Sequence, residues 1–235
     1  FDDGDWMTFD QIEAQIENTI DQFYHSIDTA RPDWTNHGPL MGIKKKMVLV
    51  ITGGEPTLQA NLGAFLDRMK TIFENTQIES NGIVHQPTIP IETTIVISPK
   101  CVEKNGVATR YIKPNTNNMK VASCLKFVME ANRNSPYNDI PQWAHQWAKE
   151  TNRPVFISPM NVYNDQPAKS KQIRNNGSNR IEMKERSTVD EVISFWEPGL
   201  LDMESNQKNH EYVAEYCLRN GYIMNLQMHL YASLA

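Results

Sequence analysis

The sequence is poor in cysteine, with only Cys101, Cys124 and Cys217 in 235 residues. These positions are too widely separated for a zinc knuckle or a compact disulfide framework. The odd number of cysteines, and an opening segment that lacks the charged-then-apolar pattern of an export signal, indicate reduced thiols in a cytoplasmic protein. We expect each thiol to be a small, buried, apolar side chain.

The sequence also lacks long apolar runs and an excess of positive charge. The longest apolar run, residues 47–51, is far shorter than a membrane-spanning helix requires. The formal net charge of -5 gives no general attraction to nucleic acid or to anionic membranes. We therefore expect no membrane partner, and a nucleic-acid partner only where a local basic patch provides the contact.

One such patch lies in residues 164–186, which are polar and show no apolar period. Between positions 169 and 186 there are six lysines or arginines and two glutamates. The composition predicts a solvated insertion loop, mobile or partner-bound, that precedes the last helix and strand. Contact between this loop and RNA or a partner protein stays open.

Apolar residues elsewhere recur with the periods of helices and strands. Thr8 is a good N-cap, and the isoleucines at positions 12, 16 and 20 predict a helix with one apolar stripe. The β-branched run 47–51 predicts a strand buried on both faces, followed by a helical pattern over residues 58–73. Further strands are predicted at residues 77–80, 93–97, 125–129, 154–157 and 222–226, and further helices at 141–151 and 209–218. This alternation predicts an α/β fold of parallel βα units that forms a single domain over residues 1–235.

The most informative segment is Thr52-Gly53-Gly54-Glu55-Pro56, directly after the first predicted strand. Ligands of parallel α/β sheets bind beyond the carboxyl ends of the strands, and paired glycines let the backbone approach a ligand closely. Neither a Walker loop nor a three-glycine dinucleotide fingerprint is present. Because Glu55 would repel phosphate and can accept from an ammonium group, the segment favours an amine ligand.

These residues resemble the motif with which radical S-adenosylmethionine enzymes hold the amino group of their cofactor. Within that superfamily the sequence is similar to the 7-carboxy-7-deazaguanine synthase family. Three further segments carry this resemblance: Glu79-Ser80-Asn81-Gly82, Ser98-Pro99-Lys100 and Leu226-Gln227-Met228-His229. The likeness runs from about residue 47 to Ala235, interrupted by an unmatched stretch at 160–205. It implies a partial parallel (βα) barrel that lacks its first strand.

The resemblance also implies roles for single residues. Gly54 and Glu55 would contact the amino group of S-adenosylmethionine. The walls around its ribose, carboxylate and adenine would be formed by Ser98, Pro99, Lys100, Ser158, Pro159, Met160 and Asn161. The substrate contacts would be Thr52, Glu79, Gln227, His229 and the carboxylate of Ala235. Structural alternatives stay open: Ser98 and Ser158 could merely end strands, His229 could be a core histidine, and Glu79 could be a buried structural carboxylate.

The family reaction is a lyase reaction of deazapurine (queuosine-type) biosynthesis, which converts 6-carboxy-5,6,7,8-tetrahydropterin to 7-carboxy-7-deazaguanine. It uses S-adenosylmethionine, a 4Fe-4S cluster and magnesium. The resemblance therefore implies a pterin substrate and a flavodoxin-type electron donor as partners, and a homodimer is a further expectation.

The sequence departs from the family in one respect, because no Cys-x3-Cys-x2-Cys pattern is present to bind the cluster. Catalytic and metal-binding residues can therefore not be assigned within the chain. Phe1 resembles the segment just after the third family cysteine, so we expect the cluster ligands and the magnesium-binding threonine to lie upstream of it. The alternative is a non-catalytic protein, or one subunit of a split enzyme, that retains the S-adenosylmethionine pocket without a cluster.

Overall fold

The structure is a computed structural model that describes residues 7–26, 47–164 and 202–226. The chain divides into two compact units, one formed by Phe1–Glu79 and His85–Thr94 and the other by Ser80–Val84 and Ile95–Ala235. None of the described helices is both long enough and apolar enough to cross a membrane.

The first unit opens with helix α1 (Phe9–Ser26), as the isoleucine stripe predicted. The Thr8 hydroxyl accepts a hydrogen bond from Gln11 N, and Gln11 Oε1 accepts one from Thr8 N, so the helix begins with a reciprocal capping box. Ile16 and Ile20 pack on Met69 and its neighbours, which fixes the apolar face of α1 against the rest of the unit.

A parallel strand pair follows, β1 (Val48–Ile51) and β2 (Asn75–Ser80), in a register that sets Val48 beside Asn75 and Ile51 beside Ile78. Helix α2 (Leu62–Met69) lies between them in sequence. One face of β1 is covered, since Leu49 packs with Met69, Ile72 and Phe73.

The other face of β1 is exposed, contrary to the sequence prediction. Val48 is 50% exposed and Val50 is 45% exposed, so the prediction of a strand buried on both faces was wrong. The apolar side chains of α1 and α2 pack on the face of β1 that carries Leu49. A continuous apolar run therefore did not require two covered faces.

The described residues of the second unit form four parallel strands. Their order in the sheet is β3 (Thr94–Ile97), β6 (Cys124–Met129), β7 (Val155–Pro159) and β8 (Ile223–Met224), and β3 starts one residue before the unit. The helices described in this unit are α3 (Thr116–Val121), α4 (Gln142–Thr151) and α5 (Met203–Asn220). The core is built from strand and helix residues together, including Phe127, Ile157, Trp147 and Val213. The predicted α/β class with parallel strands is thus confirmed.

The sequence analysis missed an antiparallel hairpin, β4 (Cys101–Lys104) and β5 (Val107–Tyr111). Its turn residues, Asn105 and Gly106, have φ values of 54° and 75°. An Asn-Gly pair is the commonest signal for such a turn, so the hairpin was readable from the sequence. The short helix α3 was also missed, since six residues cannot display a helical period.

Helix α5 is longer than the predicted segment 209–218, because a polar cap extends it at the start. Asp202 Oδ1 accepts from Ser205 N at 3.0 Å, and Asp202 Oδ2 accepts from the Ser205 hydroxyl at 2.6 Å. The bond from the Ser205 hydroxyl lowers the pKa of the Asp202 carboxyl. Gly221, with φ of 70°, ends the helix in the left-handed conformation.

The predicted insertion loop lies, after Asn164, outside the described residues. The described residues on either side of it are joined directly, because Val162 O accepts a hydrogen bond from Asp202 N at 3.1 Å. Val162 and Asp202 therefore lie side by side in the second unit. A connection between two such neighbouring points can be shortened without stretching the fold.

We predict that replacing residues 165–186 by a short Gly/Ser linker leaves cooperative thermal unfolding intact. Halving a loop changes its closure free energy by only about 0.6 kcal/mol, and in the favourable direction. Circular dichroism during heating checks this. A Gly/Ser segment of the original length separates the effect of length from that of sequence, and loss of the cooperative transition in both variants would make the segment part of the core.

Candidate functional site

In the first unit, the chain after β1 turns sharply at the two glycines. Gly53 and Gly54 have φ values of 87° and 51°, a region that side chains with a Cβ rarely adopt. A Cβ placed on either glycine would meet no heavy atom within 4 Å. The glycines are therefore required by the backbone conformation and not by crowding, and they leave open space beside the turn.

Glu55 follows this turn and caps the single 3-10 turn Pro56–Leu58. Its Oε1 accepts from Thr57 N at 3.2 Å and from the Thr57 hydroxyl at 2.6 Å. Thr57 is itself only 5% exposed. The half-buried carboxylate is thereby held in one orientation at the carboxyl end of β1.

Thr57 is a residue that the sequence analysis did not consider. The sequence did contain a signal for this contact, since a threonine two residues after an acidic residue can donate its hydroxyl hydrogen to that carboxylate at the start of a helical turn. The bond between the two side chains holds Glu55 in place as a hydrogen-bond acceptor, so it is not a loose surface carboxylate.

The strand register brings two of the predicted substrate contacts together. Ile51 is paired with Ile78, and the next residues along the two strands are Thr52 and Glu79. Thr52 is exposed and Glu79 half-buried. Alternation places Glu79 on the same face of β2 as Gln77, which is paired with the exposed Val50. The two residues thus lie at the end of the open face of β1 and β2.

In the second unit, the turn at residues 80–82 has a structural explanation. Ser80 O accepts from Ser98 N at 2.8 Å, and the Ser80 hydroxyl accepts from Gly82 N at 2.9 Å. A Cβ on Gly82 would lie 2.8 Å from both Ile97 Cγ2 and Pro114 Cβ, which no neighbour could accommodate without moving. Packing and a φ of 77° both require glycine here.

Residues 98–100 lie immediately after β3 and lead into the hairpin. Pro99 is buried, Ser98 is half-buried and Lys100 is exposed. Lys100 Nζ lies 3.4 Å from the Ser98 hydroxyl, to which it can donate. Its carbonyl accepts from Ile112 N at 2.8 Å, so the hairpin anchors the backbone of this segment.

The first two residues of the segment 158–161 belong to β7, because the strand ends at Pro159, two residues beyond the predicted end at 157. Ser158 is buried, and its hydroxyl accepts from Asn225 Nδ2 at 3.1 Å. The strand pairing continues one residue beyond Ser158, through Pro159, and the structural alternative for Ser158 stays open. Met160 and Asn161 are half-buried and lie beyond the strand end.

Three of the predicted substrate contacts, Gln227, His229 and Ala235, lie outside the described residues. The core-histidine alternative for His229 and the proposed role of Ala235 accordingly stay predictions.

The residues of this chain do not fit an iron–sulfur cluster. All three cysteines are buried, and burial raises the pKa of the Cys101 and Cys217 thiols, which disfavours the thiolates that ligate iron. Cys101 begins β4, Cys124 begins β6 and Cys217 lies on α5, so the fold distributes them over three elements. The described residues contain no group of three or more His, Cys, Asp or Glu side chains that could hold a metal ion.

The turn of the first unit does fit the amino group of S-adenosylmethionine. An ammonium group needs acceptors, and this turn offers a carboxylate fixed by Thr57 together with backbone carbonyls beside open space. A phosphate ligand needs donors and would meet the negative charge of Glu55 instead. Because the turn offers hydrogen-bond acceptors and a negative charge, it favours an amine ligand over an anion.

No protein-family model matches the sequence. No curated protein matches it either. Among solved structures, QueE from Escherichia coli is similar over 94% of this chain and 64% of that chain, with 16% identity and a TM-score of 0.44. SuiB from Streptococcus suis is similar over 80% of this chain and 41% of that chain, with 13% identity and a TM-score of 0.39. SuiB bound to S-adenosylmethionine is similar over 88% of this chain and 47% of that chain, with 13% identity and a TM-score of 0.40. The chain spans less than two thirds of the length of each of these structures.

Proposed function

We propose that this protein binds S-adenosylmethionine and belongs to the radical S-adenosylmethionine superfamily. The observation that carries the proposal is the turn after β1. Two glycines at positive φ are followed by a carboxylate whose orientation is fixed by Thr57. This arrangement suits a ligand that carries a primary ammonium group, as the methionine part of the cofactor does.

Further contacts with the cofactor are proposed for the segments after β3 and at the end of β7. Residues 98–100 and 158–161 occupy the carboxyl ends of parallel strands, where α/β sheets bind ligands. Met160 and Asn161 are partly exposed there, whereas Ser158 and Pro159 are buried. In this proposal Ser158 acts by holding the strand end, and the residues after it provide the surface.

For the reaction, we propose the conversion of 6-carboxy-5,6,7,8-tetrahydropterin to 7-carboxy-7-deazaguanine, on the sequence resemblance. Thr52 and Glu79 would contact the pterin, and their adjacent positions at the open end of β1 and β2 support a shared role. Gln227, His229 and Ala235 complete the proposed substrate contacts. A lyase of this kind would also use magnesium and a flavodoxin-type electron donor.

The buried cysteines favour a second candidate function. A radical reaction requires a reduced cluster, and the three thiols of this sequence do not fit one. The second candidate is a non-catalytic protein, or a subunit of a split enzyme, that binds S-adenosylmethionine without cleaving it. Both candidates share the amine-binding turn and differ only in the cluster.

Iron content distinguishes the two candidates. Protein purified without oxygen from its native source should carry about four iron atoms per molecule if it is the lyase, and none if it is a cluster-free binding protein. The intact mass of the same sample, compared with the length that the gene encodes, shows whether cluster ligands occur outside this sequence.

We predict that Glu55→Gln weakens the binding of S-adenosylmethionine at least tenfold. The substitution keeps an oxygen that can accept from Thr57 and removes only the charge, so thermal unfolding should barely change. A hydrogen bond to a charged group contributes about 1.5–3 kcal/mol, which corresponds to roughly a tenfold to hundredfold change in affinity. Calorimetric titration measures the effect.

Glu92→Gln is the matched control, since Glu92 is an exposed carboxylate of the same unit that pairs with Lys70. It should leave the affinity unchanged. Equal affinities for all three proteins would remove Glu55 from the ligand contacts.

We also predict that Thr57→Val weakens binding of S-adenosylmethionine less than Glu55→Gln does, by roughly threefold to tenfold. Valine has the shape of threonine and keeps the backbone N–H that donates to Glu55, but it lacks the hydroxyl, so the carboxylate keeps its charge and is held in its orientation by one bond instead of two. Thr57→Ser restores the hydroxyl and should restore the affinity. If serine and valine behave alike, the hydroxyl does not orient Glu55 for binding.

A further inference from the structure

Two asparagines of α5, Asn206 and Asn209, are buried although they are polar, with exposures of 0% and 5%. Burial of an amide is unfavourable unless its donors and acceptor are satisfied. The two residues are three positions apart on one helix, so they project from the same face of α5. Both make their hydrogen bonds with backbone groups near the carboxyl ends of strands.

Asn206 pairs with both backbone groups of Val162. Its Nδ2 donates to Val162 O at 2.7 Å, and its Oδ1 accepts from Val162 N at 3.1 Å. Nδ2 also donates to Asp202 O at 2.7 Å, within the first turn of α5. Val162 lies beyond the sheet, and the Asn206 amide gives its backbone N–H and C=O the hydrogen bonds that a neighbouring strand would otherwise supply.

Asn209 joins the segments that follow two adjacent strands. Its Oδ1 accepts from Ala131 N, after β6, and its Nδ2 donates to Met160 O, after β7, both at 2.8 Å. Met160 N in turn donates to Met129 O at 2.8 Å. One amide thereby sets the relative positions of the two strand ends.

We infer that Asn206 and Asn209 are positioning residues that fix the backbone of residues 160–162 for contact with S-adenosylmethionine. The inference rests on the proposed function, which assigns Met160 and Asn161 to the cofactor surface. Asparagine suits this role because one short, planar group supplies a donor and an acceptor together. Aspartate supplies no donor when ionised, and glutamine places the same group one methylene farther from the helix.

The test uses Asn209→Asp in the full chain. This substitution keeps the acceptor for Ala131 N, and in its ionised form it removes the donor to Met160 O. Burial raises the pKa of the introduced carboxyl, so protonation at mildly acidic pH restores a donor. Asn220→Asp is the control, because Asn220 is an exposed residue of the same helix whose amide donates only to Tyr216 O among the bonds that the structure shows.

Titrations measure the affinities for S-adenosylmethionine and for 5′-methylthioadenosine, which lacks the amino-acid group. We expect Asn209→Asp to weaken both at least tenfold at pH 7.5, and to regain most of the loss at pH 5.5. Asn220→Asp should bind both ligands as the unchanged protein does at either pH. Glu55→Gln should weaken S-adenosylmethionine alone, which separates the two contributions.

Affinities of folded Asn209→Asp equal to those of the unchanged protein would overturn the inference, even if its melting temperature fell. A loss that does not recover at acidic pH would also overturn it, because the missing donor would not be the cause. Failure of the unchanged chain to bind either compound would refute the proposed function instead.

Hydrogen exchange tests the positioning role directly. In Asn209→Asp, or in Asn209→Ser if the former does not fold, the amides of residues 160–162 should lose protection while those of β6 keep it. Unchanged protection of residues 160–162 would reject the positioning role.

Discussion

The backbone groups at the carboxyl ends of the parallel strands must find hydrogen-bond partners once they leave the sheet. Much of the described structure follows from how short polar side chains meet that requirement. The Glu55 carboxylate does so after β1, the Ser80 hydroxyl does so after β2, and Asn209 does so after β6 and β7. Among the described residues that are not exposed, no buried side-chain nitrogen or oxygen lacks a partner. The ends of the strands are therefore held in defined conformations that a ligand does not have to create.

Most of the regular elements could be predicted because they depend on local periodicity, whereas the β4–β5 hairpin and the short helix α3 were missed. The isoleucine stripe of α1 and the apolar core of β6 determine helix and strand within a few residues of chain. Burial could not be predicted in the same way, since it depends on what covers each face. Val50 is as apolar as Leu49, yet only Leu49 meets the side chains of α1 and α2.

The candidate site was predictable where one short segment carries the chemistry. The glycine pair and Glu55 are consecutive, so their backbone conformation and charge follow from the sequence alone. The residues that hold the site together are not consecutive. Asn209 bonds to Ala131, 78 positions away, and Asn206 bonds to Val162, 44 positions away. In the sequence these asparagines look like ordinary polar positions of a helix, and only the fold shows that they are buried.

Cofactor binding and radical chemistry make separate demands on the chain. Binding an ammonium group requires a fixed acceptor, and the bonds from Thr57 to Glu55 already provide one. Because the carboxylate is ordered before the ligand arrives, little further conformational entropy is lost on binding. A cluster instead requires several accessible thiolates within one loop, whereas the fold uses Cys101, Cys124 and Cys217 as buried packing groups. The conformation of the turn rests on its own glycines and on the bonds between Glu55 and Thr57, and none of the three cysteines takes part in it.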